Sequence, residues 1–176
     1  MNIFCVDECP FEAAKLLPDR HVNKMITETN QMLSFVFSKY YHDWGTLPKK
    51  DGTVYKTENS KHLKHICTIW ISKSYDNMAW AISHGFGLCD EFSYRYEKTH
   101  AGYETLKVAK DIFESKTNMS INDYDSVKSF ARAMDDSIRN DRTISDVDAY
   151  RKYLNTKPWV KYNYLKDPNR KPSWIV

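Results

Sequence analysis

The sequence has few of the residues that form tight turns. Its 176 residues include only 5 glycines and 6 prolines, whereas sandwiches and barrels made of many short strands need turn residues at frequent intervals. A chain of this length is ordinary for one domain. We therefore predict a mainly α protein, a single compact helical domain over residues 1–176 with two or three short strands or a small hairpin.

Long apolar segments are also missing. No run approaches the roughly 18 residues that are needed to span a bilayer. The first seven residues, Met-Asn-Ile-Phe-Cys-Val-Asp, lack the basic start and apolar middle of a signal peptide. We expect a cytoplasmic protein with no membrane partner, in which the cysteines remain reduced thiols.

Familiar cofactor and metal motifs do not occur. The chain has no Walker loop, no dinucleotide-binding glycine pattern and no Gly-x-Ser-x-Gly elbow, so we expect no cofactor. Cys5 and Cys9, and His62 and His65, have spacings that occur in zinc sites, but no second pair follows in a familiar order. The sequence therefore predicts no metal site, and it does not indicate an oligomeric state.

The most informative segment is residues 18–41, which predicts a long amphipathic helix. Apolar residues recur there at steps of three and four. At about 100° per residue, the side chains of His21, Lys24, Glu28 and Gln31 form one polar stripe along the edge of the apolar face. An imidazole, an amine and a carboxylate in such a stripe are a plausible catalytic group.

A structural interpretation of the same stripe stays open. Lys24 and Glu28 have the spacing of an ordinary i,i+4 ion pair, His21 suits the edge of a core, and Gln31 suits a solvated surface. The catalytic interpretation requires that the stripe lines an open cleft with room for a nucleotide.

Further helices are predicted from periodicity and capping residues over residues 7–17, 76–97, 102–114, 126–139 and 145–155. Asp51-Gly52 predicts a turn. Gly85 and Gly87 mark a place where the helix over residues 76–97 bends or comes close to a neighbouring backbone.

The C-terminal region differs in composition from the rest. Residues 145–176 contain seven basic and three acidic residues, a net +4, whereas the whole chain carries +3. Within the arm at about residues 156–176, aromatic and basic side chains alternate, notably Lys157, Trp159, Lys161 and Tyr162. Cations hold phosphates and flat rings stack on bases. Alternatively, the aromatic side chains anchor the arm to the core.

The motif Asp19-x-His21-Val-x-Lys24-Met-x-x-Glu28-x-x-Gln31-x-Leu33 resembles a helix in a group of uncharacterised bacteriophage proteins. These proteins begin with a similar Asn-Ile-Phe segment and end in an aromatic-basic tail, but the group brings no established chemistry. A phage origin implies the host cytoplasm.

The Asp-x-His helix with a Glu seven residues after the His, and Lys157-Pro-Trp-x-Lys-Tyr162, also resemble the phage pyrimidine-dimer DNA glycosylases with abasic-site lyase activity. That resemblance implies that Glu28 is the catalytic carboxylate and that His21 orients DNA or an abasic sugar. In those proteins an α-amine on a small first residue attacks the sugar. Here Asn2 disfavours removal of Met1, so the nucleophile is either the Met1 amine or Lys24.

The leading hypothesis is thus a phage-type DNA-processing enzyme that acts on a base or an abasic sugar, as a glycosylase, lyase or base-modifying enzyme. Its predicted catalytic residues are Met1, His21, Lys24 and Glu28. Its predicted substrate-binding residues are Asp19, Arg20, Gln31, Lys157, Trp159, Lys161 and Tyr162. The alternatives are a noncatalytic phage protein that binds a host factor and an enzyme that modifies RNA or nucleotides.

Overall fold

Helices form nearly all of the regular structure in the computed structural model, which describes residues 1–176. The α-helices are α1 Pro10–Leu16, α2 Asp19–Phe35, α3 Ser60–Leu63, α4 Ile66–Ser72, α5 Tyr75–Tyr96, α6 Tyr103–Thr117, α7 Asp136–Arg139 and α8 Asp146–Asn155. A π-helical turn, Val36–Tyr40, follows α2, and short 3-10 turns occupy His42–Trp44, Val160–Tyr162 and Pro168–Arg170. The predicted mainly α class is confirmed, and none of the helices is long and apolar enough to cross a membrane.

The core lies around α2 and α5, which pack against each other, while α1 and α6 cover other sides of α5. Gly85 and Gly87 make this packing close. A Cβ atom on Gly85 would come within 2.7 Å of Leu106 on α6, and one on Gly87 within 3.1 Å of Ala14 on α1. The predicted close approach to a neighbouring backbone is confirmed at Gly87, where the added Cβ would lie 3.2 Å from Cα of Phe11, whereas Gly85 faces side chains. The α5 helix runs through both glycines without interruption.

Most of the long helices begin and end near the predicted positions, because local signals define them. The Ser74 side chain accepts a hydrogen bond from the backbone N–H of Asn77 at the start of α5. Ser145 does the same for Asp148 at the start of α8. Such caps satisfy amides that have no partner within the helix. The predicted helix over residues 18–41 is α-helical to Phe35, and Pro18 immediately precedes it.

The predicted strands are wrong. In the β-prone segment Asn2–Val6, the backbone N–H groups of Ile3 and Phe4 donate to the side chain of Asn2 and are therefore not available for a ladder. At the Asp51-Gly52 turn, the only pairing is a single antiparallel bridge between Pro48 and Val54. The predicted hairpin is thus reduced to one bridge and its turn.

The predicted helix over residues 126–139 is also wrong, since only α7 at its end is helical. Partners distant in sequence hold the preceding segment extended. The backbone N–H of Phe130 donates to Asp146, and that of Ala133 donates to the hydroxyl of Tyr150. These bonds replace the intrahelical ones that the sequence pattern favours.

A buried ion network connects the helices to the C-terminal arm. The fully buried guanidinium of Arg95 on α5 donates to the carboxylates of Glu91 and Asp19 and to the carbonyls of Leu17 and Lys15. The Arg170 side chain, from the arm, also reaches Glu91 at 2.8 Å. Because each buried charge has several partners, the network satisfies the polar groups that burial would otherwise leave without partners.

Asp19 completes the connection to the arm. One oxygen of its carboxylate accepts from Arg95, and the other accepts the backbone N–H groups of Leu165 and Lys166. Because Asp19 is only 7% exposed, its carboxylate depends on these protein groups for its hydrogen bonds. It positions the arm at the start of α2.

Substitution of Asp19 by Ala should destabilise the fold by about 3 kcal/mol, because it leaves Arg95 short of a partner inside the protein. Urea denaturation with linear extrapolation measures this loss. A matched control is Glu12→Ala, which breaks the exposed Glu12–Lys15 pair and should cost less than about 1 kcal/mol. Equal, small losses in both variants would contradict a structural role for the network.

Candidate active site

The first residues of the chain are firmly held. The Asn2 side chain accepts hydrogen bonds from the backbone N–H groups of Ile3 and Phe4 and from the Tyr150 hydroxyl, and it donates to the carbonyl of Ala133. Phe4 has a φ of +41°, a left-handed conformation that costs a non-glycine residue about 1–2 kcal/mol. Chain ends usually fray, so this anchoring fixes where the terminal amine points.

The anchored amine lies beside the predicted carboxylate. The nitrogen of the Met1 ammonium is 3.7 Å from Oε2 of Glu28, and the Nζ of Lys24 is 2.9 Å from Oε1. The Met1 side chain is only 3% exposed although the residue as a whole is half-buried. The exposed surface of Met1 therefore belongs to its main chain, where the amine is. Two amines and one carboxylate meet at this point.

This group lies at an open edge of the protein. The Lys24 side chain is 63% exposed and that of Glu28 is 13% exposed. The cavities of about 250–270 Å³ are lined by other residues, so the nucleotide-sized cleft that we expected around the stripe is not among them. Sites for small molecules are usually concave. The requirement that the stripe lines an open cleft is thus not met, and a catalytic role would need a substrate that lies across this open edge.

His65 is a neighbour of the amine that the analysis of the helix stripe missed. Burial lowers the pKa of His65, and the nearby charge of the Met1 amine lowers it further, whereas Glu28 acts in the opposite direction. Its Nδ1 accepts the backbone N–H of Cys67 at the start of α4, so the neutral ring carries its proton on Nε2. The only signal in the sequence was the spacing of His62 and His65, which we considered for a metal site.

Gln31, at the far end of the stripe, contacts the segment that contains His62 and His65. The side-chain nitrogen of Gln31 lies 3.1 Å from Nδ1 of His62, which places α3 against α2. No group of three His, Cys, Asp or Glu side chains is arranged to hold a metal ion. The site therefore offers amines, a carboxylate and the imidazoles of His62 and His65.

His21 has a different environment from Lys24 and Glu28. It is 8% exposed, its ring centroid is 4.2 Å from that of Phe4 and 5.4 Å from that of Trp159, and its Nδ1 has no hydrogen-bond partner. Burial lowers the pKa of His21 to about 3, and the charges of Lys24 and Arg20 contribute. The ring is therefore neutral at pH 7 and does not act as a cation towards phosphate.

The arm meets α2 along a row of rings formed by Trp159, His21, Phe4 and Tyr153, which we call the aromatic row. Two cations border it. The guanidinium of Arg20 lies 5.3 Å from the Trp159 ring centroid, and the Nζ of Lys157 lies 4.3 Å from that of Tyr153. Three of the predicted substrate-binding residues, Arg20, Lys157 and Trp159, thus lie together.

Lys161 and Tyr162 lie farther along the arm, where both are exposed and line a cavity of about 270 Å³. Directly after Tyr162, Asn163 accepts the backbone N–H groups of Asp19 and Arg20. The arm is therefore attached to the first turn of α2. The two interpretations of its composition are therefore compatible, because the arm is anchored to the protein and still presents cationic side chains.

Comparison of the chain with protein-family models, curated proteins and solved structures finds no match. The functional argument therefore depends on the chemistry of the site itself.

The pKa of His21 predicts an acid-dependent loss of stability. Below pH 6.5 the unfolded chain binds a proton at this residue that the folded chain does not bind until about pH 3. The free energy of unfolding should fall by up to about 1.4 kcal/mol per pH unit over this interval. His21→Gln should reduce the slope, and the ring protons of His21, assigned by that variant, should not titrate by NMR between pH 8 and 5. A titration midpoint near 6.5 would show that the ring is accessible to water.

Proposed function

We propose that this protein is a DNA-processing enzyme that cleaves strands at abasic sugars through an amine nucleophile. One observation supports this most directly, namely that the Met1 ammonium and Lys24 both lie within 4 Å of the Glu28 carboxylate. An amine and a carboxylate are the groups that imine formation and β-elimination require. The faint likeness to phage glycosylases with lyase activity agrees with this assignment.

The reaction follows from the groups present. The unprotonated amine attacks the C1′ aldehyde of the open-chain sugar, and loss of water gives a Schiff base. A base then removes a proton from C2′, and the bond between C3′ and the 3′ phosphate oxygen breaks. The electron pair of the C2′–H bond forms the new double bond, and the 3′ phosphate leaves. Glu28 is the carboxylate placed to move these protons.

Of the two amines, we favour that of Met1. The Met1 amine is fixed by the anchored Asn2 and Phe4, whereas the Lys24 side chain is 63% exposed. A fixed nucleophile loses less entropy when it reacts.

The neighbouring cations are suited to phosphate. Arg20, Lys24 and Lys157 lie beside the amine or the aromatic row. The net charge of the chain is only +3, so the positive surface is local. Phosphate contacts made by these residues would make DNA binding weaken as salt increases.

Glu28→Gln should reduce cleavage of a duplex with one abasic site by about 100-fold, because the general acid–base contribution is lost. Gel electrophoresis of the labelled strand measures the rate. Glu104→Gln is a matched control, because it removes a carboxylate from the exposed Glu104–Lys107 pair on α6. Its rate should be that of the wild type. Equal rates in all three proteins would exclude Glu28 as a catalytic group.

The nucleophile is identified by trapping with borohydride, which reduces the Schiff base to a stable amine. We expect a covalent adduct that mass spectrometry locates at Met1. Addition of two residues before Met1 should abolish it, whereas Lys24→Met should retain it. The reverse result would assign the reaction to Lys24, and the absence of any adduct with abasic DNA would exclude the lyase.

A noncatalytic role is favoured by one other observation. Tyr162 and Leu165 are 69% and 80% exposed on the arm, and apolar side chains so exposed are common where proteins bind each other. If the protein acts by binding a host factor, Tyr162→Ala should abolish its effect in infected cells while Glu28→Gln leaves it intact. The enzyme predicts the opposite ranking. An abasic RNA strand in the trapping assay tests the use of the same groups on RNA.

A further inference from the structure

A second positively charged site lies beside α4, outside the group around Glu28. It is a half-open cleft of about 270 Å³ between α4 and residues 129–142. Ile66, Ile69 and Trp70 on one face of α4 form an apolar wall, and Phe130 faces them, its ring centroid 5.4 Å from that of Trp70. Ile66 is 41% exposed, so this wall is partly open to a ligand.

The floor of the cleft is rigid. The guanidinium of Arg132 donates to the carboxylate of Asp146 and to the carbonyls of Asp141 and Ile144. The indole nitrogen of Trp70 donates to the carbonyl of Ser129 at 2.7 Å. These hydrogen bonds hold both side chains in place, and a preformed site lowers the entropic cost of binding.

The rim of the cleft has cations without carboxylate partners. Lys73 and Arg142 line it and are exposed, and neither takes part in any ion pair or hydrogen bond of the structure through its side chain. Arg139 also lines it, although it is paired with Asp136 at 3.1 Å. Asp146 is the one acidic residue of the lining, and it is already paired with Arg132. The unpaired charge of the cleft is thus positive.

Residues that line the cleft are near in sequence to residues close to the Met1 amine. Ile66 in the cleft directly follows His65, whose ring is close enough to the Met1 amine to be affected by its charge. Asn2 donates to the carbonyl of Ala133, two residues beyond Ala131 in the lining. Ile66 and Ala131 in the cleft are therefore close along the chain to residues that surround the amine.

We propose that this cleft binds one nucleotide of a DNA strand next to the reacting sugar, with its phosphate on Lys73 and Arg142 and its base or sugar against the apolar wall. The combination of unpaired cations with apolar and aromatic side chains matches the two parts of a nucleotide. The volume lies just below the range usual for ligand pockets, which suits one nucleotide and not a longer segment. This inference depends on the proposed function for the strand, but its binding chemistry does not require catalysis.

The test is the affinity for a fluorescent single-stranded oligodeoxynucleotide, measured by anisotropy over a series of salt concentrations. The double variant Lys73→Ala/Arg142→Ala should bind about tenfold more weakly. The slope of log K against log salt should decrease in magnitude by about 0.7, since the variant loses its contact with one phosphate and each such contact of a single strand contributes about 0.7. The control Lys39→Ala/Lys98→Ala removes two exposed lysines that are in no ion pair and lowers the net charge equally. Equal changes in both double variants would overturn the proposal.

A separate variant tests the contribution of the apolar wall to binding. Ile66→Ala should weaken binding about threefold and leave the salt slope unchanged, because it removes apolar contact without charge. If this variant binds as the wild type does, the cleft holds phosphate alone and the nucleotide assignment is overturned.

Competition with dAMP tests the source of the ligand. A nucleotide site is supported if dAMP displaces the strand from the wild type but not from the Lys73→Ala/Arg142→Ala variant. It is overturned if inorganic phosphate displaces the strand equally well.

Borohydride trapping on the same variants separates this inference from the proposed function. Strand binding that depends on the cleft, without any trapped adduct in the wild type, would refute the lyase and support the cleft. Trapping in every variant, with binding that does not depend on Lys73 and Arg142, would refute the cleft and support the lyase. Thermal melting by circular dichroism confirms that the exposed substitutions leave the fold intact.

Discussion

The arrangement of the molecule depends on one buried guanidinium, that of Arg95. It connects the end of α1, through the carbonyls of Lys15 and Leu17, with Asp19 at the start of α2 and with Glu91 on its own helix. Asp19 in turn holds the backbone of the arm. A buried charge is tolerated only when most of its donors are used, and Arg95 uses Nε, Nη1 and Nη2. The relative positions of α1, α2, α5 and the arm follow from this requirement.

The relative positions of the helices and the arm determine the geometry of the site. Because the arm is attached to the first turn of α2, Trp159 covers His21, and Arg20 lies against Trp159. Because Asn2 is hydrogen-bonded to Ala133 and Tyr150, the amine lies over the middle of α2, where Glu28 is. The site therefore joins three distant parts of the chain on one open edge. The cleft beside α4 is a separate feature whose rim has unpaired cations.

The polar stripe on α2 does not act as one unit. His21, Lys24, Glu28 and Gln31 have the spacing that puts them on one edge, and the helix is where the pattern predicts it. Yet the arm covers His21, Gln31 is bonded to His62 on α3, and only Lys24 and Glu28 remain beside the amine. Periodicity defines the edge of a helix, but the elements packed over that edge decide the environment of each side chain. The lowered pKa of His21 is chiefly a consequence of that cover, and the charges of Lys24 and Arg20 on the same helix add to it.

The sequence by itself determined the helical class, the start of α2 and the approximate extents of α5, α6 and α8, because amphipathic period and capping side chains act within a few residues of chain. It also determined which face of α2 is polar. Only the tertiary structure decided that residues 126–135 are extended, since their backbone partners, Asp146 and Tyr150, are supplied from elsewhere. It alone also placed the Met1 amine and His65 beside Glu28 and brought Lys73 and Arg142 to one cleft. These are contacts between residues far apart in the chain, and no local pattern encodes which of many possible partners a side chain meets.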